Sequence, residues 1–146
     1  TFGDVVDTDH GTECGGNFAI LSGDDLVVRL ATELPNVRRV IFAVGGGVDG
    51  LLSKPPSQGG NNVDHLLPEL TPSQIDAGEG GFSGAHWATD IDVTGGVGLK
   101  AVRGMQVARH RGGEIDVLVL NGDRPDRILN GMRGNRVIGT LIKSRL

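Results

Sequence analysis

Along the chain, short continuous apolar runs alternate with stretches in which apolar residues recur every three or four positions. "NFAIL" (17–21) reads as a buried strand. It leads directly into "SGDDLVVRLATEL" (22–34), where Leu26, Val27, Leu30, Ala31 and Leu34 recur at helical spacing. Ser22 and Asp25 stand as a capping box, which puts the helix start at the serine. "VRRVIFAV" (37–44), apolar and β-branched, is the next strand, and it empties into three glycines at 45–47. From about 53 to 87 Pro, Gly, Asn and Ser dominate, predicting irregular structure with a short helix near Ser73 to Ala77. Beyond it the pattern predicts a helix over about 96–111, a strand "IDVLVL" (115–120), a short helix over 124–132 and a final strand "RVIGTLI" (136–142). Strands alternating with helices imply an α/β architecture with a mainly parallel sheet. No repeat and no Gly/Ser linker divides the chain, so 1–146 are read as one unit.

Composition narrows this picture. At 146 residues and 15.2 kDa the chain has the length of one ordinary domain. No stretch approaches the length of a membrane helix, and the first residues lack a charged-then-apolar secretory pattern, so a cytoplasmic protein without membrane contact is expected. Cys14 is the one cysteine; it has no internal disulfide partner and no neighbours at zinc-ligand spacing, and no protein-held metal site is expected. The net charge of −4 hides an asymmetry: residues 1–99 carry four basic and fourteen acidic side chains, residues 100–146 ten basic and four acidic. A cationic tail suits a phosphorylated ligand. With one Trp and no Tyr, the aromatic platforms that stack single-stranded nucleic acid are scarce, so a small molecule is the expected partner rather than nucleic acid. A solvated, Arg-rich helix face balancing an acidic half accounts for the same residues.

Chemistry in open α/β sheets gathers where strands end and helices begin. Three stretches qualify. In "LSGDD" (21–25) a helix N-terminus offers free amides to an anion, while Asp24 and Asp25 either cap that helix or turn a carboxylate into the cleft to orient lysines or a metal. In "VGGGVDGLLSK" (44–54) small residues let a backbone approach a nucleotide closely; the run matches neither the GxGxxG nor the Walker A pattern, and a plain flexible turn explains it equally. In "DIDVTGGVGLK" (90–100), Gly95 and Gly96 free the backbone amides, Asp92 and Thr94 organise the turn, and Lys100 lies about one turn into the next helix. That geometry holds a cation beside a phosphate docked on the helix start. The competing reading of Lys100 is one more solvated lysine.

Taken in order, "GDVV" (3–6), "FAILSGDDLVVRLA" (18–31), "VIFA" followed by "VDG" (40–50), "DVTGG" with a lysine four residues after its second glycine (92–100), and "NGDRPDRILNGMRGNRVIGT" (121–140) resemble the C-terminal half of isopentenyl phosphate kinase, of the amino acid kinase superfamily. The resemblance implies a three-layer αβα sandwich, the nucleotide-binding half of a kinase that moves the γ-phosphoryl group of ATP, with Mg²⁺, directly onto a small phosphorylated acceptor such as isopentenyl phosphate. It assigns Asp24 and Lys100 as catalytic, the first orienting lysines and the second stabilising charge on the bridging oxygen. It places Ser22 and Gly23 at the substrate phosphate, and Asp49, Gly50, Lys54, Asp92, Thr94, Gly95 and Gly96 around the nucleotide. Related kinases act on uridylate, fosfomycin or amino-acid acceptors, and a noncatalytic nucleotide-binding or assembly module of the same fold is the reading from another class.

The chain departs from the family in two places. "VGGGVDG" stands where relatives read Thr-Asp-Val-Asp-Gly, and the 146 residues hold no counterpart of the family's N-terminal half with its lysine, Gly-Gly loop and histidine pocket. His10, His65, His86 and His110 occur in unrelated contexts. A chain that opens at Thr1 in the middle of a kinase sheet reads as a fragment or one piece of a split protein. The expectations are therefore weak nucleotide binding and little catalysis by this segment alone, and a partner in the form of the missing half or a homodimer.

Overall fold

The computed structural model describes residues 4–7, 18–52, 65–71, 96–110 and 112–143. Strands β1 (Asp4–Asp7) and β2 (Phe18–Leu21) pair antiparallel, Asp4 opposite Leu21. Ser22 then caps helix α1 (Gly23–Glu33): its backbone is extended, and its hydroxyl accepts the Asp24 amide at 3.2 Å. The serine half of the expected capping box is thus present, whereas Asp25 turns its carboxylate across to a neighbouring helix. Apolar spacing in α1 allows two rows, Leu26–Leu30–Leu34 and Val27–Ala31. Burial goes to the second: Ala31 is buried with Val27 and Val28 packed against the core, while Leu30 and Leu34, expected inside, are half exposed. The smaller side chains let the helix lie closer to its neighbours.

The remaining strands, β3 (Arg39–Val44), β4 (Glu69–Leu70), β5 (Asp116–Asn121) and β6 (Thr140–Ile142), form one sheet in the order β3-β5-β6-β4. β3 and β5 run parallel from Arg39 opposite Asp116 to Val44 opposite Asn121. β4 and β6 are also parallel, but β6 runs back against β5, so the sheet is mixed and mostly parallel. The segment 65–71, expected to be irregular, supplies an edge strand. The last strand is shorter than the 136–142 its composition suggested: it begins only after Gly139, which stands so close to Leu120 that no room is left there for a Cβ. The short helix expected near Ser73–Ala77 lies outside the described residues.

Two further helices complete the layers, α2 (Gly96–His110) and α3 (Pro125–Met132). Strand residues alternate between faces. Val40, Phe42 and Val44 of β3 join Val117, Val119, Ile142 and the α2 residues Ala101, Met105 and Ala108 in one buried cluster. Gly104 brings α2 so near that a Cβ would lie 2.6 Å from Ile142 Cδ1. On the opposite face Ile41, Leu118 and Leu120 meet α3 at Gly131, where a Cβ would stand 2.8 Å from Leu120. Helices therefore cover both faces, the three-layer αβα arrangement that the alternation of elements implied.

Candidate phosphate-binding site

α1 runs back against β3 and α2 against β5, so both helices start at the carboxyl end of the parallel pair; α3 starts there as well, directly after β5. Three helix N-termini, each the positive end of a macrodipole, gather at one edge of the sheet. Stability alone would put acids there. α1 obeys, with Asp24 and Asp25 in its first turn. α2 does not: it has no acid in its first turn and carries Lys100 as its fifth residue.

What holds that lysine is Asp24. Lys100 Nζ lies 2.7 Å from Asp24 Oδ2, with the two side chains only 18% and 13% exposed. One turn further along α2, Arg103 Nη2 lies 2.7 Å from Asp25 Oδ1, and Arg103 Nη1 donates to Gln106 at 3.1 Å. Two carboxylates on one helix thus balance two cations on the next, at the end where both dipoles favour an anion. Both acids serve the interhelical contact rather than capping alone. Gly98 has open space around its Cβ position.

The loop after β3 occupies the same edge. Gly46 and Gly47 both have positive φ, 74° and 71°, a conformation that side chains disfavour, and no atom lies within 4 Å of either Cβ position. Gly47 N–H donates to Asp123 Oδ2 at 3.0 Å. Behind it Asp49 is buried and accepts from Asn121 Nδ2 at 3.0 Å and from Arg127 of α3. Gly50 abuts Thr140 of β6, whose Oγ1 accepts the Leu51 amide at 2.8 Å and donates to Leu67 O at 2.7 Å. The "VDG" segment is thereby locked to β5, β6 and α3, and it is the glycines before it that face open space.

Of the residues singled out in the sequence, the structure brings together Ser22, Gly23, Asp24 and Lys100, and sets Asp49 and Gly50 beneath the β3 loop. Gly96 opens α2. Lys54, Asp92, Thr94 and Gly95 lie outside the described residues. Arg103, Asn121, Asp123 and Arg127 were missed. The "NGD" turn at 121–123 carried a signal for two of them, since Asn121 Oδ1 accepts the Asp123 amide at 2.9 Å in the manner of an Asx turn. The arginines gave none, because their partners are remote in sequence. At the start of α3, Arg124 and Asp126 pair: the hydrogen bond from Arg124 holds the Asp126 carboxyl below its usual range, and the same bond raises Arg124.

A cavity of about 580 Å³ lies elsewhere, on the α3 face among Arg39, Leu118, Leu141 and Ile138. It is walled off from Lys100 by the sheet. Among the described residues no three metal-ligating side chains cluster, and no helix is long and apolar enough to cross a membrane.

The fold is α/β, with three helix starts gathered at one edge of the sheet. The chain is similar over 97% of its length to the isopentenyl phosphate kinase of T. acidophilum in its product complex, with a TM-score of 0.62 and 25% identity. It is likewise similar over 97% of its length to an isopentenyl phosphate kinase substrate complex, with a TM-score of 0.60 and 26% identity. It spans 46% of each of those chains, about half their length, a share consistent with a C-terminal half. The mixed, mostly parallel sheet with its helices is the fold of these neighbours. No protein-family model and no curated protein matches the chain.

Proposed function

We propose that this chain is the nucleotide-binding half of an ATP-dependent small-molecule kinase that adds a phosphoryl group to an already phosphorylated acceptor, isopentenyl phosphate being the acceptor chosen for test. The observation that carries the reading is a half-buried lysine held 2.7 Å from Asp24 at the positive end of a helix without first-turn acids. Such a lysine disfavours the apo helix and favours a bound anion. Its flexible side chain is preset, so little reorganisation is needed as charge develops on a transferring phosphoryl group.

In this reading Lys100 neutralises that charge, Asp24 fixes the ammonium, the α1 start at Ser22 and Gly23 lies beside the acceptor phosphate, and Gly45–Gly47 leave space for the nucleotide. The described residues make no metal cage. A Mg²⁺ carried on the phosphates of ATP needs at most one or two carboxylates, and both Asp24 and Asp25 are already engaged by cations, so no step is assigned to it here. The donors on the far side of the phosphoryl group would come from the other half of the kinase, and we place the reaction in the cytoplasm.

The test combines ATP, Mg²⁺ and isopentenyl phosphate with the full-length gene product and follows diphosphate formation. Lys100→Ala is expected to lower kcat by about two to three orders of magnitude, the loss typical of one preorganised charge-stabilising donor. The fold should stay intact, with the melting point lowered only as far as the loss of the Lys100–Asp24 pair dictates. A parent without transfer to isopentenyl, uridylate or amino-acid acceptors, yet able to bind ATP, would favour a noncatalytic nucleotide-binding module.

A further inference from the structure

Lys100 and Arg103 stand three residues apart on α2 and therefore on one helix face, while Asp24 and Asp25 are adjacent in the first turn of α1. Successive helical residues diverge by about 100°, so the two carboxylates fan apart toward different partners. Each takes one cation at 2.7 Å. Four charges thus share one helix–helix contact, and nothing in the chemistry of an ammonium distinguishes one carboxylate from its neighbour. Arg103 does distinguish them. Its planar fork is braced by Gln106 on its own helix and presents Nη2 to Asp25.

We propose that Arg103 is a positioning residue: by engaging Asp25 it keeps that carboxylate away from Lys100, so that the Lys100 ammonium is shared only between Asp24 and an incoming anion. An ammonium has three donors. With Asp25 released, a second carboxylate competes for them, and the cluster of two acids and two cations passes from balanced to net negative where a phosphate must dock. The consequence for ATP rests on the kinase reading above; the exchange of partners does not.

The ligand-free part is tested by a double-mutant cycle on the full-length protein, reading Tm for the parent, Asp24→Asn, Arg103→Gln and the double variant. In the Arg103→Gln background Asp25 takes over Lys100, so the Tm loss from Asp24→Asn is expected to fall to less than half its value in the parent. Losses that simply add would overturn the proposal. The ligand part measures ATP affinity by titration calorimetry. Arg103→Gln is expected to weaken ATP by about fivefold through the uncompensated charge, Arg103→Lys to recover only part of it because it restores the charge without the fork, and Asp25→Asn/Arg103→Gln to return to within about twofold of the parent although the ion pair is still missing. A double variant as weak as Arg103→Gln would show a packing role and sink the idea. If the parent itself binds no ATP, the kinase reading fails, and the Tm cycle alone decides the role of Arg103.

Discussion

Asp49 shows how one buried charge organises the edge of this sheet. Its carboxylate is 3% exposed and is met by Arg127 and by Asn121. Removing one member of such a pair leaves the other charged and poorly solvated, which typically costs more than the pair contributes. Arg127→Met is therefore expected to lose about 3–5 kcal/mol of stability in urea unfolding. Adding Asp49→Asn to the same chain should restore part of that loss, because the buried charge that Arg127 balanced is then gone. A loss below about 1 kcal/mol would mean that water or another partner reaches the carboxylate. Lys100 and Asp24 obey a different logic: their pair is partly exposed and sits at a helix end that favours anions, so its value lies in what it can receive rather than in what it holds together.

The loop after β3 is held by contacts that no short motif announces. Gly50 is fixed by its closeness to Thr140, whose Oγ1 would lie 2.7 Å from an added Cβ. Gly50→Ala is expected to push Thr140 off the Leu51 amide and the Leu67 carbonyl and to cost about 1–3 kcal/mol, read from the thermal midpoint. The start of α3 gives a pH signature instead. Because Arg124 lowers the Asp126 carboxyl in the folded state, that carboxylate adds stability above the unfolded pKa of about 3.9, and the gain disappears as pH falls through the lower folded value. An NMR titration should find Asp126 below the ordinary range, and Asp126→Asn should flatten that part of the acid limb. β3, β5 and the three helices were legible from local periodicity, as was the cap at Ser22. β1 is only four residues bounded by aspartates, and β4 only two, too short to leave a pattern. Leu30 and Leu34 look as apolar as Val27 and Ala31, and only packing between helices decides which row is buried. Asp24, Lys100 and the glycines were visible because strand ends and helix starts are local features; Arg103 and Arg127 were not, because their carboxylates lie far away along the chain.

The whole molecule divides its labour between two ends and two faces. Charged helix starts and open glycines occupy the carboxyl end of β3 and β5, and the acidic first part of the chain meets the basic last part there through Asp24–Lys100, Asp25–Arg103 and Asp49–Arg127. Part of the uneven charge of the sequence is thus met internally, between the two halves of the chain. β5 lies between a parallel neighbour and an antiparallel one, with Val117, Val119 and Leu120 fully enclosed. In deuterated buffer the amide protons of Val117 to Leu120 should consequently be the last to disappear, those of the β4 edge and the Gly46–Gly47 turn among the first. Such a ranking would describe a rigid spine with a yielding rim, and it would let the rim reshape around a visiting molecule while the spine keeps its register.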